Sequence, residues 1–152
     1  MVTTAGTQTD DASLVDALLS LEHDAIGAYD SCIERLEDSA SRDKVAEFRT
    51  DHERHLRELG EFARGIGVAD DGGSAKSVLT SGKIALADLA GDGALLKAMA
   101  TNEDDTVTAY ERGAAQGGIS AELQAICRRA HEDELRHREW MRAAAERPGA
   151  TA

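Results

Sequence analysis

Proline is almost missing from this chain: Pro148 is the only one in 152 residues. Nothing before it therefore breaks a helix by ring clash or by a lost amide donor. Aromatic residues make up 3%, and no alternating β-branched runs bounded by turns occur, so strands are not expected. Only two cysteines are present, Cys32 and Cys127. Two thiols cannot form a disulfide framework or a four-thiolate iron centre. No apolar run approaches membrane-spanning length, so no membrane partner is expected. Residues 1–10 are polar and Thr-rich, without the apolar segment of a signal peptide, and the cytoplasm is the expected compartment. Basic charge is also short: 17 Lys and Arg against 29 Asp and Glu leave −12. Such a surface repels phosphate backbones, which excludes nucleic acid as the natural partner.

What is abundant is Ala, Leu, Glu and Arg, the residues that favour helices. The chain reads as all-α, with one domain over residues 11–147, a flexible N-terminal tail at 1–10 and a short C-terminal tail at 148–152. Apolar periodicity places long helices near residues 12–38, 42–65, 93–115 and 120–146, with Ser120 as the N-cap of the last. Glycine clusters at Gly72-Gly73, Gly91 with Gly93, and Gly117-Gly118 separate the segments. Between the second and third helices a short apolar-periodic piece, residues 78–89, fits a long crossover connection. A 24-residue helix is about 36 Å long, and a chain returning along it needs a connection of this size.

Six ionisable residues sit where the apolar stripes call for Leu or Ala. Glu134 and His137 lie one turn apart on the fourth helix. Heptad steps from Glu134 land on Cys127 and Met141, and from His137 on Leu123, Ala130 and Ala144. His52 and His55 are the equivalent pair on the second helix, while Glu22 and Glu103 stand singly on the first and third. Burying such groups without partners costs several kcal/mol each, roughly. A metal ion is the leading candidate partner, and a buried network of Glu–His pairs without metal is the alternative.

The six are related by an internal repeat. Glu22-His23-Asp24-Ala25-Ile26-Gly27-Ala28-Tyr29 aligns without gaps on Glu103-Asp104-Asp105-Thr106-Val107-Thr108-Ala109-Tyr110. Asp51-His52-Glu53-Arg54-His55 aligns on Asp133-Glu134-Leu135-Arg136-His137. Both motifs recur in the same order at nearly the same spacing, so the two halves correspond as wholes. A bundle closing over them gathers three carboxylates and three imidazoles at one level.

These motifs resemble the ferritin-like superfamily of four-helix bundles, and most closely small bacterial ferritin-like domain proteins of uncharacterised function. In that superfamily a Glu from each of two helices and a Glu-x-x-His from each of the other two hold two iron or manganese ions. The resemblance implies metal ligation by Glu22, His55, Glu103, Glu134 and His137. It also implies parallel first and fourth helices, which keeps Cys32 and Cys127 too far apart for a disulfide. His52 departs from the pattern, since a bridging Glu belongs there. Three carboxylates leave about one positive charge of two divalent ions uncompensated in a low-dielectric interior, so the second ion binds more weakly or only one is held.

The expected cofactor is iron, as two ions or one, with manganese or zinc as alternatives for a mixed nitrogen–oxygen donor set. The resemblance implies oxidation of Fe(II) or reduction of dioxygen or peroxide. A non-catalytic structural or metal-sensing bundle is the alternative, and whether the protein is an enzyme stays open at this point. So does its oligomeric state, a homo-oligomer included. Tyr29 and Tyr110 read as core tyrosines, with hydrogen bonds to carboxylates as the alternative, and Thr106 as a packing residue. His23 reads as a surface histidine, and so does His131, which lies one turn before Glu134 at the stripe's edge, with a supporting contact to the site as its alternative.

Overall fold

The computed structural model describes residues 3–70, 86 and 88–148. Four helices make up the described part: α1 (Asp11–Arg35), α2 (Ser39–Gly65), α3 (Asp92–Ala115) and α4 (Ala121–Ala145). No strand occurs among the described residues, and none of their helices is long and apolar enough to cross a membrane. The short helix expected near 78–89 falls mostly outside the described residues. Leu86, which is described, is buried in the core.

Each boundary has a local cause. α1 stops three residues earlier than its stripe suggested, because Asp38 serves the next helix instead: its carboxylate accepts from Ser41 N at 2.8 Å and caps α2. The Arg42 guanidinium then donates back to the Leu36 carbonyl, and Asp92 accepts from the Glu37 and Asp38 amides at 2.9 Å each. With the cap at Asp38, α2 begins at Ser39 rather than near 42. Ser120 caps α4 as expected, accepting from Leu123 N. Gly91, at φ 87°, starts α3 from a backbone conformation that side chains disfavour.

Opposed side chains give the topology. Glu22 meets His52 while Asp30 meets Arg49, so α1 and α2 are antiparallel. Tyr29 meets Glu103 and Tyr110 meets Glu22, so α1 and α3 are antiparallel. Arg54 with Asp133 and Arg129 with Glu58 set α4 against α2. Arg138 with Asp104, and Gly113 against Cys127, set α4 against α3. All neighbours are therefore antiparallel, and the diagonal pairs α1/α4 and α2/α3 run parallel. The connection from α2 to α3 must join opposite ends of a bundle about 40 Å long.

The apolar core is split in two. One cluster, around Leu14, Leu18, Leu59, Phe62, Leu123 and Cys127, fills the end where α1 begins. The other, around Cys32, Val45, Phe48, Leu96, Met99 and Met141, fills the opposite end. Cys32 and Cys127 are both buried and free, one in each cluster. Between the clusters lies a polar layer.

Residues 3–10, expected from their polarity to be a flexible tail, lie against α3. Ala5 is buried, Arg112 donates to the Thr3 carbonyl at 2.7 Å, and Thr3 N lies 3.3 Å from Asp105 Oδ1. Gly6, at φ 91°, sits so close to α3 that a Cβ there would fall 2.4 Å from the Ala109 carbonyl oxygen. Backbone hydrogen bonds and close approach hold this segment, and neither leaves an apolar pattern in the sequence.

Candidate metal centre

The polar layer contains all six residues expected from the repeat. Glu22, His52, Glu134 and His137 have no exposed surface, and His55 and Glu103 have 2% each. Each faces inward because it occupies a stripe position of its helix, with Leu, Phe, Met or Cys one and two turns away.

Two overlapping groups of potential metal donors form. One is Glu22, His52, His55 and Glu134; the other is His52, Glu103, Glu134 and His137. Within each, the donor atoms lie within 4.8 Å of one another. His52 and Glu134, which occupy the same place in the two repeats, are common to both. Glu134 divides its oxygens: Oε1 lies 3.3 Å from His55 Nδ1, while Oε2 lies 3.4 Å from His137 Nδ1. His52 divides its nitrogens likewise, with Nδ1 2.7 Å from Glu22 Oε2 and Nε2 3.7 Å from Glu103 Oε1.

Around the six, the repeat generates a second layer of contacts that cross between halves. His55 Nε2 donates to Asp133 at 2.9 Å, and His137 Nε2 donates to Asp51 at 2.8 Å. This turns both imidazoles with Nδ1 inward, the nitrogen that a metal ion would take in exchange for any proton on it. Arg54 pairs with Asp133 and Arg136 with Asp51, and each arginine also reaches the Asp of its own motif at 3.2–3.3 Å. The result is a closed ring of two Asp and two Arg over the α2–α4 face.

Both tyrosines cross as well: Tyr29 donates to Glu103 and Tyr110 to Glu22. The reading of these two as plain core residues is thus corrected. They start two turns from the carboxylate on their own helix and reach the one on the antiparallel neighbour. Thr106, expected to be a packing residue, also joins the site. Its hydroxyl lies 2.7 Å from Glu103 Oε2 and 3.2 Å from Glu134 Oε2. Its repeat mate is Ala25, so this contact exists in one half only. His23 is about one-third exposed and pairs with Asp70 at 3.3 Å. His131 is half-buried. Neither belongs to the cluster.

The electrostatics show what burial does to unlike groups held together. Burial pushes the Glu22 carboxyl up, but the imidazoles of His52 and His55 outweigh it and pull the carboxyl down to about 2. Against the cost of burial, Glu134 and Glu22 hold His52 well above the ordinary imidazole range. Burial likewise opposes charge on His55, yet Glu22 first and then Asp133 raise it to about 12. Glu103 moves to about 7, because burial and the neighbouring Glu134 both disfavour its charge. Glu134 stays well below the usual carboxyl range despite its burial, chiefly through His52. Burial and the facing carboxylates raise both tyrosines well above their ordinary range, so each hydroxyl keeps its proton and donates.

Two atoms in this layer are left over. Among the described residues, three buried side-chain atoms lack a hydrogen-bond partner: Asp24 Oδ1, His52 Nε2 and Glu134 Oε1. The last two are the shared residues of the two donor groups. A buried polar atom without a partner costs about 1–3 kcal/mol, and a cation between the groups that displaces the proton of His52 Nε2 would satisfy both atoms. The residues present therefore fit a divalent ion: carboxylate and imidazole donors, rings turned with Nδ1 inward, and unpaired atoms where an ion would sit.

The sequence model of a domain of unknown function, DUF2383, matches residues 12–116. The chain belongs to this family. The DUF2383 match covers α1 to α3 and so contains Glu22, His52, His55 and Glu103. It ends before α4, which brings Asp133, Glu134 and His137. No curated protein and no solved structure matches the chain.

Proposed function

We propose that this DUF2383 protein is a ferritin-like metal-binding bundle that holds two divalent ions in its two overlapping donor groups. Iron is the first candidate, with manganese or zinc as alternatives for the same donors. The observation that carries this reading is the pair of unpartnered atoms, His52 Nε2 and Glu134 Oε1, inside a cluster that could hold a metal ion. The antiparallel neighbours, parallel diagonals and two-fold repetition of the ligand set support the ferritin-like part.

The redox reading adds oxidation of Fe(II) or reduction of dioxygen or peroxide. Two Fe(II) ions in this position would supply the electrons for that chemistry. The protein's own part is to exclude bulk water with the two apolar clusters, to orient His55 and His137 through Asp133 and Asp51, and to hold Glu22 and Glu103 with tyrosine hydroxyls. Adding Fe(II) to metal-free protein in air should consume oxygen, or remove added peroxide, in proportion to protein. Metal binding without any such loss would leave a metal-sensing protein rather than an enzyme.

One observation favours a structural reading without metal: Glu22 is already satisfied by His52, His55 and Tyr110. Full stability of metal-free protein, unchanged by added ions, would support that reading.

A further inference from the structure

His52 occupies the position where the repeat places Glu134, and a ring cannot do what a carboxylate does. The two oxygens of Glu134 are equivalent, so one can serve each donor group. The two nitrogens of His52 are not equivalent here. Nδ1 lies 2.7 Å from Glu22 Oε2, and because an ionised carboxylate only accepts, Nδ1 carries the proton of that bond. Nε2 has no hydrogen-bond partner and faces the second group, 3.7 Å from Glu103 Oε1. The ring is also held in place by other rings. Tyr29 packs at 4.6 Å between centroids, His137 at 5.3 Å and His55 at 5.5 Å, which resists a flip that would exchange the nitrogens.

Resting on the two-ion reading above, we propose that the two metal positions are unequal. His52 releases its Nε2 proton on binding and gives Nε2 to the position beside Glu103, which is the tighter one, while its Nδ1–H remains a hydrogen-bond donor to Glu22 at the other. The tight position then has four side chains, Glu103, Glu134, His137 and His52, and two imidazoles. The weaker has three, Glu22, Glu134 and His55, with one imidazole. Thr106 adds to the difference by fixing Glu103 and Glu134 together, a contact that Ala25 cannot supply in the other half. Even an outer partner of a ligand changes metal affinity by about tenfold or more, so a whole donor should separate the two affinities by at least about that factor.

The probe is Mn(II) added to metal-free protein, with free ion followed by its electron paramagnetic resonance signal. Wild type should bind two ions in two classes about tenfold or more apart. At half an equivalent, electron spin echo modulation should show two coupled imidazole nitrogens on the bound ion. Glu22→Gln should keep the tight ion, and Glu103→Gln should lose it. Two ions of equal affinity, a single coupled nitrogen at half an equivalent, or loss of the tight ion in Glu22→Gln alone would each overturn the inequality while leaving the two-ion reading intact. No Mn(II) bound by wild type would overturn both. The nitrogen count uses wild type only, so it decides the matter even if a variant fails to fold.

Discussion

Asp133 on α4 accepts from His55 Nε2 on α2 at 2.9 Å, and the same contact recurs between Asp51 and His137 at 2.8 Å. Each half of the repeat thus orients the imidazole of the other. Asp133→Asn weakens the acceptor while keeping its shape, so His55 should lose orientation and basicity. Metal affinity is expected to fall about 10- to 100-fold, with saturating stoichiometry unchanged. Competition against a chelator of known affinity measures this, and an unaltered affinity would show that Asp133 serves only the arginine ring.

A second prediction concerns pH and stability without metal. Glu22, at about 2 when folded against an ordinary 4.5, stabilises the fold above pH 4.5 and loses that contribution as pH falls towards 2. Glu103 runs the opposite way. Raised to about 7, it favours the fold below pH 4.5, and that contribution is lost as pH rises through 7. His55, raised to about 12, contributes fully below pH 6.5 and less as pH climbs from there towards 12. Metal-free protein should therefore melt highest near pH 5 and progressively lower from pH 6 to 9. A bound ion replaces those protons, so the gap in melting temperature between loaded and metal-free protein should widen over the same range. A gap that narrows with rising pH would contradict the assigned ion pairs.

The third prediction tests the packing that brings α3 onto α4. A Cβ at Gly113 would lie 2.7 Å from Cys127 Sγ and 3.8 Å from Leu14 Cδ2. Gly to Ala inside a helix normally stabilises by up to about 1 kcal/mol, but overpacking a core costs about 1–3 kcal/mol. Gly113→Ala should therefore destabilise on the order of 1 kcal/mol in urea unfolding, and adding Cys127→Ala should recover part of the loss. Gly65 in α2 is the control: a Cβ there would meet nothing within 4 Å, so Ala should not destabilise.

The six-residue cluster is legible in the sequence because each member interrupts an apolar stripe, and because the repeat names the partner of each. The four helices are legible for the same periodic reason. What escapes lies where periodicity carries no signal. Asp51 and Asp133 sit on the helix flank and look like solvated charges, although they recur one residue before His52 and Glu134. Spacing alone sets Tyr29 and Tyr110 against carboxylates on their own helices or leaves them as plain packing. Their hydroxyls act across an antiparallel pair, and that depends on side-chain direction rather than spacing. Thr106 has an alanine as its repeat mate, so the repeat points away from it. Residues 3–10 are fixed by backbone contacts, for which hydropathy has no code.

The central claim is that the polar layer exists to hold metal, and metal per chain tests it most directly. Metal-free protein is reconstituted with Fe(II) without oxygen, desalted and analysed for iron, beside Glu134→Ala, which removes the carboxylate common to both donor groups. Wild type should retain close to two ions per chain and gain melting temperature with them, and Glu134→Ala should lose both the ions and the gain. Wild type that retains no iron and melts unchanged, or a Glu134→Ala protein that retains as much iron as wild type, would contradict the account.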